Sequence, residues 1–539
     1  MSGDSFLQTL LNTSRGYAQI ILTPALIEWR QLLIYAGALF LAYKVSRGIY
    51  SVYFSPLASI PGPKLAALTH LYESYYEIVL GGQYFKRVAE LHRIYGPVVR
   101  VTPNEVHFND PEFIDMVYPS PARKTNKPLW FAQRTGTPYS IVSTPDHDLH
   151  RRRRNALNSF FSVASIRRLE PIMKKYMGIM VARMEEAGKS GGIMHMHHVF
   201  KACASDVITV YAFGECFGFM DRPDFGRSFF ESTDVFFYLT HIFGLVPWLV
   251  HYVQNMPSWL VKMLLPSLSE LRDRQDWWIA KVREIRASPN PERVKSTIFE
   301  GILNSSLPPE EKTDERLASE AQLVVFAGEG TTAYTLTCCL YQLLAHPDEV
   351  HKLKQELTQA VPDPNHILLH QVDSLPYLNA IIQEAVRLHP GVMARQVRIS
   401  PEVPVIYTDK EKGQTYVVPP NTVTSMSPLD IHMHPAAFGP DAYAFRPQRF
   451  IDDPKLVRYF IGFSRGARNC VGMTLARREM AIILATLFLK YDVYNGQPGQ
   501  GPTLELYDTQ RARDIDANSD YIIPVPAKGS EGLRVKIRN

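Results

Sequence analysis

From residue 315 to 345 the chain runs without a proline and carries apolar side chains on more than one helical face. A helix that is apolar nearly all round cannot lie on a surface; it passes through the middle of a fold and gathers other elements around itself. Residues 377–388 predict a second helix, stopped by His389-Pro390-Gly391, and residues 474–490 a third. Short β-rich pieces occur at 98–101, 396–399, 416–418 and 521–525. The expectation is a mainly α protein with small β-sheets. Of the 539 residues 46% are hydrophobic and 21% charged, which suffices for a large core. No repeat, low-complexity tract or second linker divides residues 64–539, so one large domain is expected there.

The formal charge of +5 gives no case for a nucleic-acid partner, which needs a concentrated basic face. Five scattered cysteines, two of them adjacent, make no disulfide framework and suit a reducing compartment. Residues 32–43 are uncharged and are followed at once by Lys44 and Arg47. Extended upstream to Ala25, the stretch reaches the roughly 20 residues that span a bilayer core. Trp29 would then sit at the interface with Glu28 and Arg30. The alternatives are a buried helix of the body or a cleaved leader, but no small-residue cleavage site follows the stretch. The expected organisation is a lumenal segment at 1–24, a single-pass anchor at 25–50, a proline-rich connector at 51–63 and a cytosolic body at 64–539. Asn12-Thr13-Ser14 would be a glycosylation acceptor on the lumenal side.

The segment Phe463-Ser-Arg-Gly-Ala-Arg-Asn-Cys-Val-Gly472 carries the chemistry. A cysteine thiolate is an axial ligand for haem iron, and its electron push favours O–O cleavage. Such a ligand needs a rigid loop. Gly466 can supply a turn closed to residues with a Cβ, and Gly472 lets the next helix approach closely. Backbone N–H groups after Cys470 would stabilise the thiolate. Arg468 would neutralise a propionate, and Phe463 would shield the sulfur.

These residues resemble the haem-binding signature of the cytochrome P-450 family, Phe-x-x-Gly-x-Arg-x-Cys-x-Gly. Its fixed positions match throughout, a coincidence with a chance on the order of 10⁻⁴ at typical residue frequencies. The resemblance implies haem b with Cys470 as the iron ligand. It continues in Glu384-Ala-Val-Arg387 and Phe445-Arg-Pro-Gln-Arg449-Phe450, which imply a buried network of Glu384, Arg387 and Arg449 near the proximal side. Ala327-Gly-Glu-Gly-Thr331-Thr332 implies the distal stretch, with Gly328 beside the haem and Thr331, Thr332 and Glu329 as catalytic candidates. A threonine hydroxyl there bonds backward to a carbonyl and makes room for dioxygen. The family's acid just before that threonine is replaced by Gly330, which leaves the proton route open. His150 and Arg154, at a spacing of four, and Arg398 match positions that contact propionates.

The remaining arginines of 151–154, with Arg477 and Arg478, would form a basic patch for an acidic reductase. His432-x-His434 lacks a third ligand in register and reads as structural. Ile60-Pro-Gly-Pro-Lys-Leu-Ala-Ala67 and Tyr95-Gly-Pro-Val-Val-Arg100 resemble the fungal branch that includes trichodiene oxygenase. The implied activity is monooxygenation of a small hydrophobic secondary metabolite, terpenoid or polyketide in type. Oxygen would come from O2 and electrons from NADPH through a separate reductase, at the endoplasmic reticulum membrane. A haem-thiolate isomerase, dehydratase or peroxygenase, and a non-catalytic haem-binding protein, are the alternatives. By position, residues 125–142, 236–248, 323–331, 391–395 and 522–525 would face the substrate.

Overall fold

The computed structural model describes residues 29, 31–287, 296–497 and 499–538. The expected lumenal segment with Asn12, and residues 25–28 and 30 of the expected anchor, lie outside the described residues. The main helices in chain order are α1 (Gln31–Tyr53), α2 (His147–Asn158), α3 (Glu170–Lys189), α4 (Met196–Phe213), α5 (Arg227–Tyr238) and α6 (Ser269–Ala287). They continue with α7 (Asp314–Ala345), α8 (Pro347–Ala360), α9 (Pro376–Leu388) and α10 (Met473–Lys490).

Local chemistry sets the helix ends. The Thr313 hydroxyl accepts from the Arg316 N–H to start α7, with Asp314 and Glu315 in the first turn where the helix dipole favours acids. Asp146 caps α2 in the same way, through the Leu149 N–H. Pro376 opens α9, and the residue before Pro390 ends it. The three helices expected from periodicity thus stand within a residue of their expected bounds.

Helix α7 is the axis of the fold. It packs most extensively against α4, and also against α6, α9 and α10. The largest core cluster surrounds it, with Ile208, Phe213, Trp278, Val325, Leu336, Ile381 and Leu487 all at 2% exposure or less. Each such side chain stabilises the fold by about 1.5–3 kcal/mol.

The strands are β1 (Val98–Thr102), β2 (Glu105–Phe108), β3 (Ile193–His195), β4 (Arg398–Ile399), β5 (Val405–Thr408) and β6 (Thr415–Val418). They continue with β7 (Val423–Ser425), β8 (Asp492–Val493), β9 (Thr503–Leu506), β10 (Ser519–Tyr521), β11 (Ile523–Val525) and β12 (Arg534–Arg538). They form two four-stranded sheets, β1-β2-β7-β4 and β3-β12-β9-β8, and the hairpins β5-β6 and β10-β11. The expected single strand at 521–525 is a hairpin instead, turning at Ile522 with φ 74°.

Helix α1 is long and apolar enough to cross a membrane and is almost wholly exposed. It runs to Tyr53, so the first residues of the expected connector at 51–63 are helical. The connector is laced to the body. Arg100 on β1 donates to the Ser51 carbonyl and hydroxyl at 2.8 Å, and its backbone N–H donates to Pro61 O at 2.7 Å.

Candidate functional site

The loop before α10 folds back on itself: the Cys470 N–H donates to Phe463 O at 2.8 Å. Gly466 sits at φ 69°, and a Cβ there would run into the carbonyl oxygens of Pro119 and Tyr118. Only glycine combines that left-handed turn with that close approach. Cys470 is accessible to solvent from a recess, whereas Cys203, Cys338 and Cys339 are buried. Surrounding protein pushes its thiol pKa up, while the N–H groups of Gly472 and Met473 and the charge of Arg154 pull it down. Phe463 lies 6.1 Å from the Phe460 ring and 5.3 Å from the Arg477 guanidinium.

Beside the loop stands a group of cations with no acid among them. Arg398 donates to Val397 O at 2.8 Å and to Ser464 Oγ at 2.9 Å. Arg468 donates to the carbonyls of Thr125, Thr144 and Pro145 at 2.7–3.2 Å. Arg154 is pinned to the backbone and side-chain oxygens of Asn469. Lys127 donates to Val142 O at 3.2 Å. Among the described residues none of these four makes an ion pair, and every acceptor they use is neutral. Burial, reinforced by Arg398, pushes the Arg468 pKa down to about 9. Lys127 is driven well below the usual lysine range by burial and by Arg398 and Arg468. His150 falls to about 2 through burial and the charges of Arg468, Lys127, Arg154 and Arg398. The one carboxylate that acts on Arg468 is Asp146, which is exposed and engaged as the α2 cap.

Within α7, Thr331 donates to Ala327 O at 2.8 Å, the backward bond expected of it. Ala327 is exposed although most of α7 is buried. Thr332 is buried at 3%. Glu329 does not join this face. Its carboxylate accepts from Ser205 Oγ at 2.6 Å and lies 3.7 Å from Arg274, toward α4 and α6. It stands two positions before Thr331, about 200° around the helix.

Behind the cysteine loop, Arg387 forms a two-point pair with Glu384 at 2.7 and 2.8 Å. Arg449 Nε donates to the same carboxylate at 3.0 Å. The spare guanidinium donors reach the carbonyls of His432, Ala442, Ala444 and Phe438. His432 bonds to Arg387 O and to the Ile461 N–H and stacks on Phe460, which makes it structural.

The Cytochrome P-450 family model matches residues 61–506. A cytochrome P-450 monooxygenase of Cochliobolus heterostrophus is 36% identical over 495 residues, covering 91% of this chain and 94% of its own. The tryptophan 6-hydroxylase of Fusarium equiseti is 37% identical over 501 residues, with 92% and 94% covered. Fusicoccadiene C-8 hydroxylase of Phomopsis amygdali is 35% identical over 507 residues, with 91% and 93% covered. The chain belongs to the cytochrome P-450 family.

It is accordingly a haem-thiolate monooxygenase of fungal secondary-metabolite type, acting on a hydrophobic metabolite with O2 and a redox partner. The cytochrome P-450 cofactor is haem held by a cysteine thiolate, and the residues present fit it. The accessible thiol of Cys470 suits iron, and the unpaired cations suit the two propionate carboxylates. Ala327, exposed on an otherwise mostly buried α7 and one turn before Thr331, suits a flat neighbour.

Four contacts join the five segments expected to face the substrate. Gly136 lies against the Phe236 ring, Phe237 is 6.0 Å from Phe326, Gly391 abuts Thr331, and the Met393 N–H donates to Ile522 O at 3.1 Å. Arg395 is a correction, because its guanidinium is turned to Glu73 and Glu105 and is structural.

The expected basic patch is also reduced. Arg153 points inward and pairs with Glu311 at 2.6 Å, and Arg478 pairs with Asp373 at 3.1 Å. Arg477 is drawn under Phe463, leaving Arg151 and Arg152 exposed. Lys127, Ser464 and Asn469 escaped the sequence reading, since nothing in a lone loop lysine, serine or asparagine shows which cation it will face.

Proposed function

We propose that Cys470 supplies the thiolate that would hold the iron of haem b and that the chain inserts one atom of O2 into a terpenoid- or polyketide-type metabolite. When bound, the haem supplies oxygen activation. The observation that carries the reading is the accessible Cys470 thiol, on a loop that Ser464 and Asn469 join to a group of cations without ion pairs. Gly466 fixes the loop, and the N–H groups of Gly472 and Met473 with Arg154 favour the ionised sulfur. Arg398, Arg468, Lys127 and His150 hold the propionates, while Arg154 ties α2 to the loop at Asn469. Glu384, Arg387 and Arg449 keep the backbone behind the loop rigid. The Thr331 hydroxyl, held by Ala327 O, would hold and pass on a proton at its Oγ1, with Thr332 and Gly328 shaping the helix around it.

Electrons come from NADPH through a reductase that meets the proximal face. Helix α1 holds the body on the cytosolic side of the endoplasmic reticulum membrane. Cys470→Ala should abolish the thiolate-type Soret band of the reduced, carbon-monoxide-bound protein and all turnover. An unchanged band in that variant would remove the ligand assignment.

Gly330, together with the turned-away Glu329, favours a second reading: a haem-thiolate isomerase, dehydratase or peroxygenase that needs no reductase. Turnover driven by peroxide alone, with no gain from NADPH and reductase, would establish it.

A further inference from the structure

The turn 327–331 is the least helical part of α7 by composition. Gly328 and Gly330 each cost about 1 kcal/mol relative to alanine in a helix interior. The hydroxyls of Thr331 and Thr335 also bond back to the carbonyls four residues earlier, which bends helices. A turn with these liabilities keeps one geometry only if neighbouring elements impose it.

Two contacts do so, one to α4 and one to α4 and α6 together. At Gly328, α7 comes so near α4 that a Cβ would stand 2.9 Å from Ile208 Cγ1. One residue on, the Glu329 carboxylate accepts from Ser205 of α4 at 2.6 Å and faces Arg274 of α6 at 3.7 Å. Arg274 also donates to Ser205 Oγ at 3.3 Å, so three helices meet in one polar knot. Its guanidinium is walled by aromatic rings, 3.8 Å from Phe229 and 4.1 Å from Phe217, with Phe219 and Trp278 beyond. The side chains of Arg274 and Glu329 are 3% and 1% exposed. Arg274 Nε and Nη1 and Glu329 Oε1 have no hydrogen-bond partner. Such a pair is costly to bury, and losing either member strands the other charge in the core.

We infer that Arg274, with Ser205, is a positioning residue: it grips Glu329, fixes the turn 327–331, and so sets where the Thr331 hydroxyl points. Glu329 is then a tie between helices, not the acid that replaces the one missing at Gly330. The effect on chemistry rests on the reading of Thr331 as a proton relay; the tie itself does not.

The test uses the full-length haem-loaded protein and compares Arg274→Met, Glu329→Gln, the double variant and Thr331→Ala. Backbone amide exchange is followed in the peptide over 325–336, with Pro376–Leu388 as internal control. NADPH-driven oxygen consumption with reductase is measured in parallel. Arg274→Met should speed exchange in the first peptide more than tenfold and leave the control unchanged. Glu329→Gln keeps an oxygen for Ser205 but leaves the Arg274 charge unpaired, so it should also speed exchange in the first peptide, with oxygen consumption falling alongside. The double variant removes the stranded charge and should fold better than Arg274→Met, but it lacks the tie and should leave the first peptide unprotected while the control stays protected, which a general packing defect would not do. If Arg274→Met itself fails to fold, a folded double variant with an unprotected first peptide still bears the tie out, and a protected one overturns it. Unchanged exchange in Arg274→Met overturns it as well. So does loss of oxygen consumption in Glu329→Gln with a raised solvent isotope effect and normal exchange, because Glu329 would then be a proton donor. Normal oxygen consumption in Thr331→Ala would remove the relay reading and leave the tie standing.

Discussion

Two clusters of buried arginines flank the cysteine loop, and their electrostatics are opposite. Behind the loop, Arg387 and Arg449 share the Glu384 carboxylate, all at 1% exposure or less, with backbone carbonyls taking the spare donors. Beside the loop, Arg398, Arg468, Arg154 and Lys127 bond to neutral oxygens only, with His150 among them. Buried charge is tolerated when it is paired. The first cluster carries its counter-charge in the chain and is therefore architecture. The second carries no counter-charge of its own, which is what a site for an anionic ligand requires.

The contrast predicts different outcomes for similar substitutions. Glu384→Ala strands Arg387 and leaves Arg449 only Asp441 at 3.5 Å, and should cost about 3–5 kcal/mol, enough to remove most folded, haem-loaded protein; the yield of the carbon-monoxide Soret band per mole of chain reads it. Arg398→Ala should act with opposite signs in two forms. Loaded protein loses a charge-assisted hydrogen bond worth about 1.5–3 kcal/mol and should release haem at least tenfold faster to an apomyoglobin trap. Apoprotein loses a repelling cation and should unfold at the same or a higher urea concentration. A fall in both forms would mean that the two clusters do not differ in kind.

His150 sharpens the comparison through pH. Its folded value, about 2, lies below the ordinary 6.5, so the unfolded apoprotein binds the proton first. Its contribution to stability is intact above the unfolded value and falls as pH drops below it, by about 1.4 kcal/mol per unit down to the folded value. His150→Gln apoprotein should lose stability less steeply than the parent between pH 6 and 4. Equal slopes would place His150 outside the cation field. Smallest of all, Arg152→Ala touches an exposed side chain and should stay within about 0.5 kcal/mol in thermal unfolding.

What could be read in the chain beforehand was what local chemistry decides. The bounds of α7, α9 and α10 follow from apolar spacing and from Pro376 and Pro390. The turn at Gly466 and the backward bond of Thr331 follow from properties of those residue types. The rest depended on partners far along the chain. Glu329 and Arg153 each stand in a pattern that suggests one face, yet Ser205 with Arg274 captures the first and Glu311 the second. Lys127 joins the cation group only because its loop crosses to Arg398 and Arg468. The hairpin at Ile522 replaced an expected strand because Asp520 accepts from the Ile522 N–H at 2.7 Å, a bond no periodicity announces.

The lacing of Ser51 and Pro61 to Arg100 has a consequence for how the enzyme sits in its surroundings. A body joined to its anchor by a slack tether would swivel like a boat on a mooring line. Here the stem of α1 is bolted to the first sheet, so any lean of the stem is passed whole to the body. Changing the direction in which α1 is held would therefore re-aim the whole body without altering one of its residues.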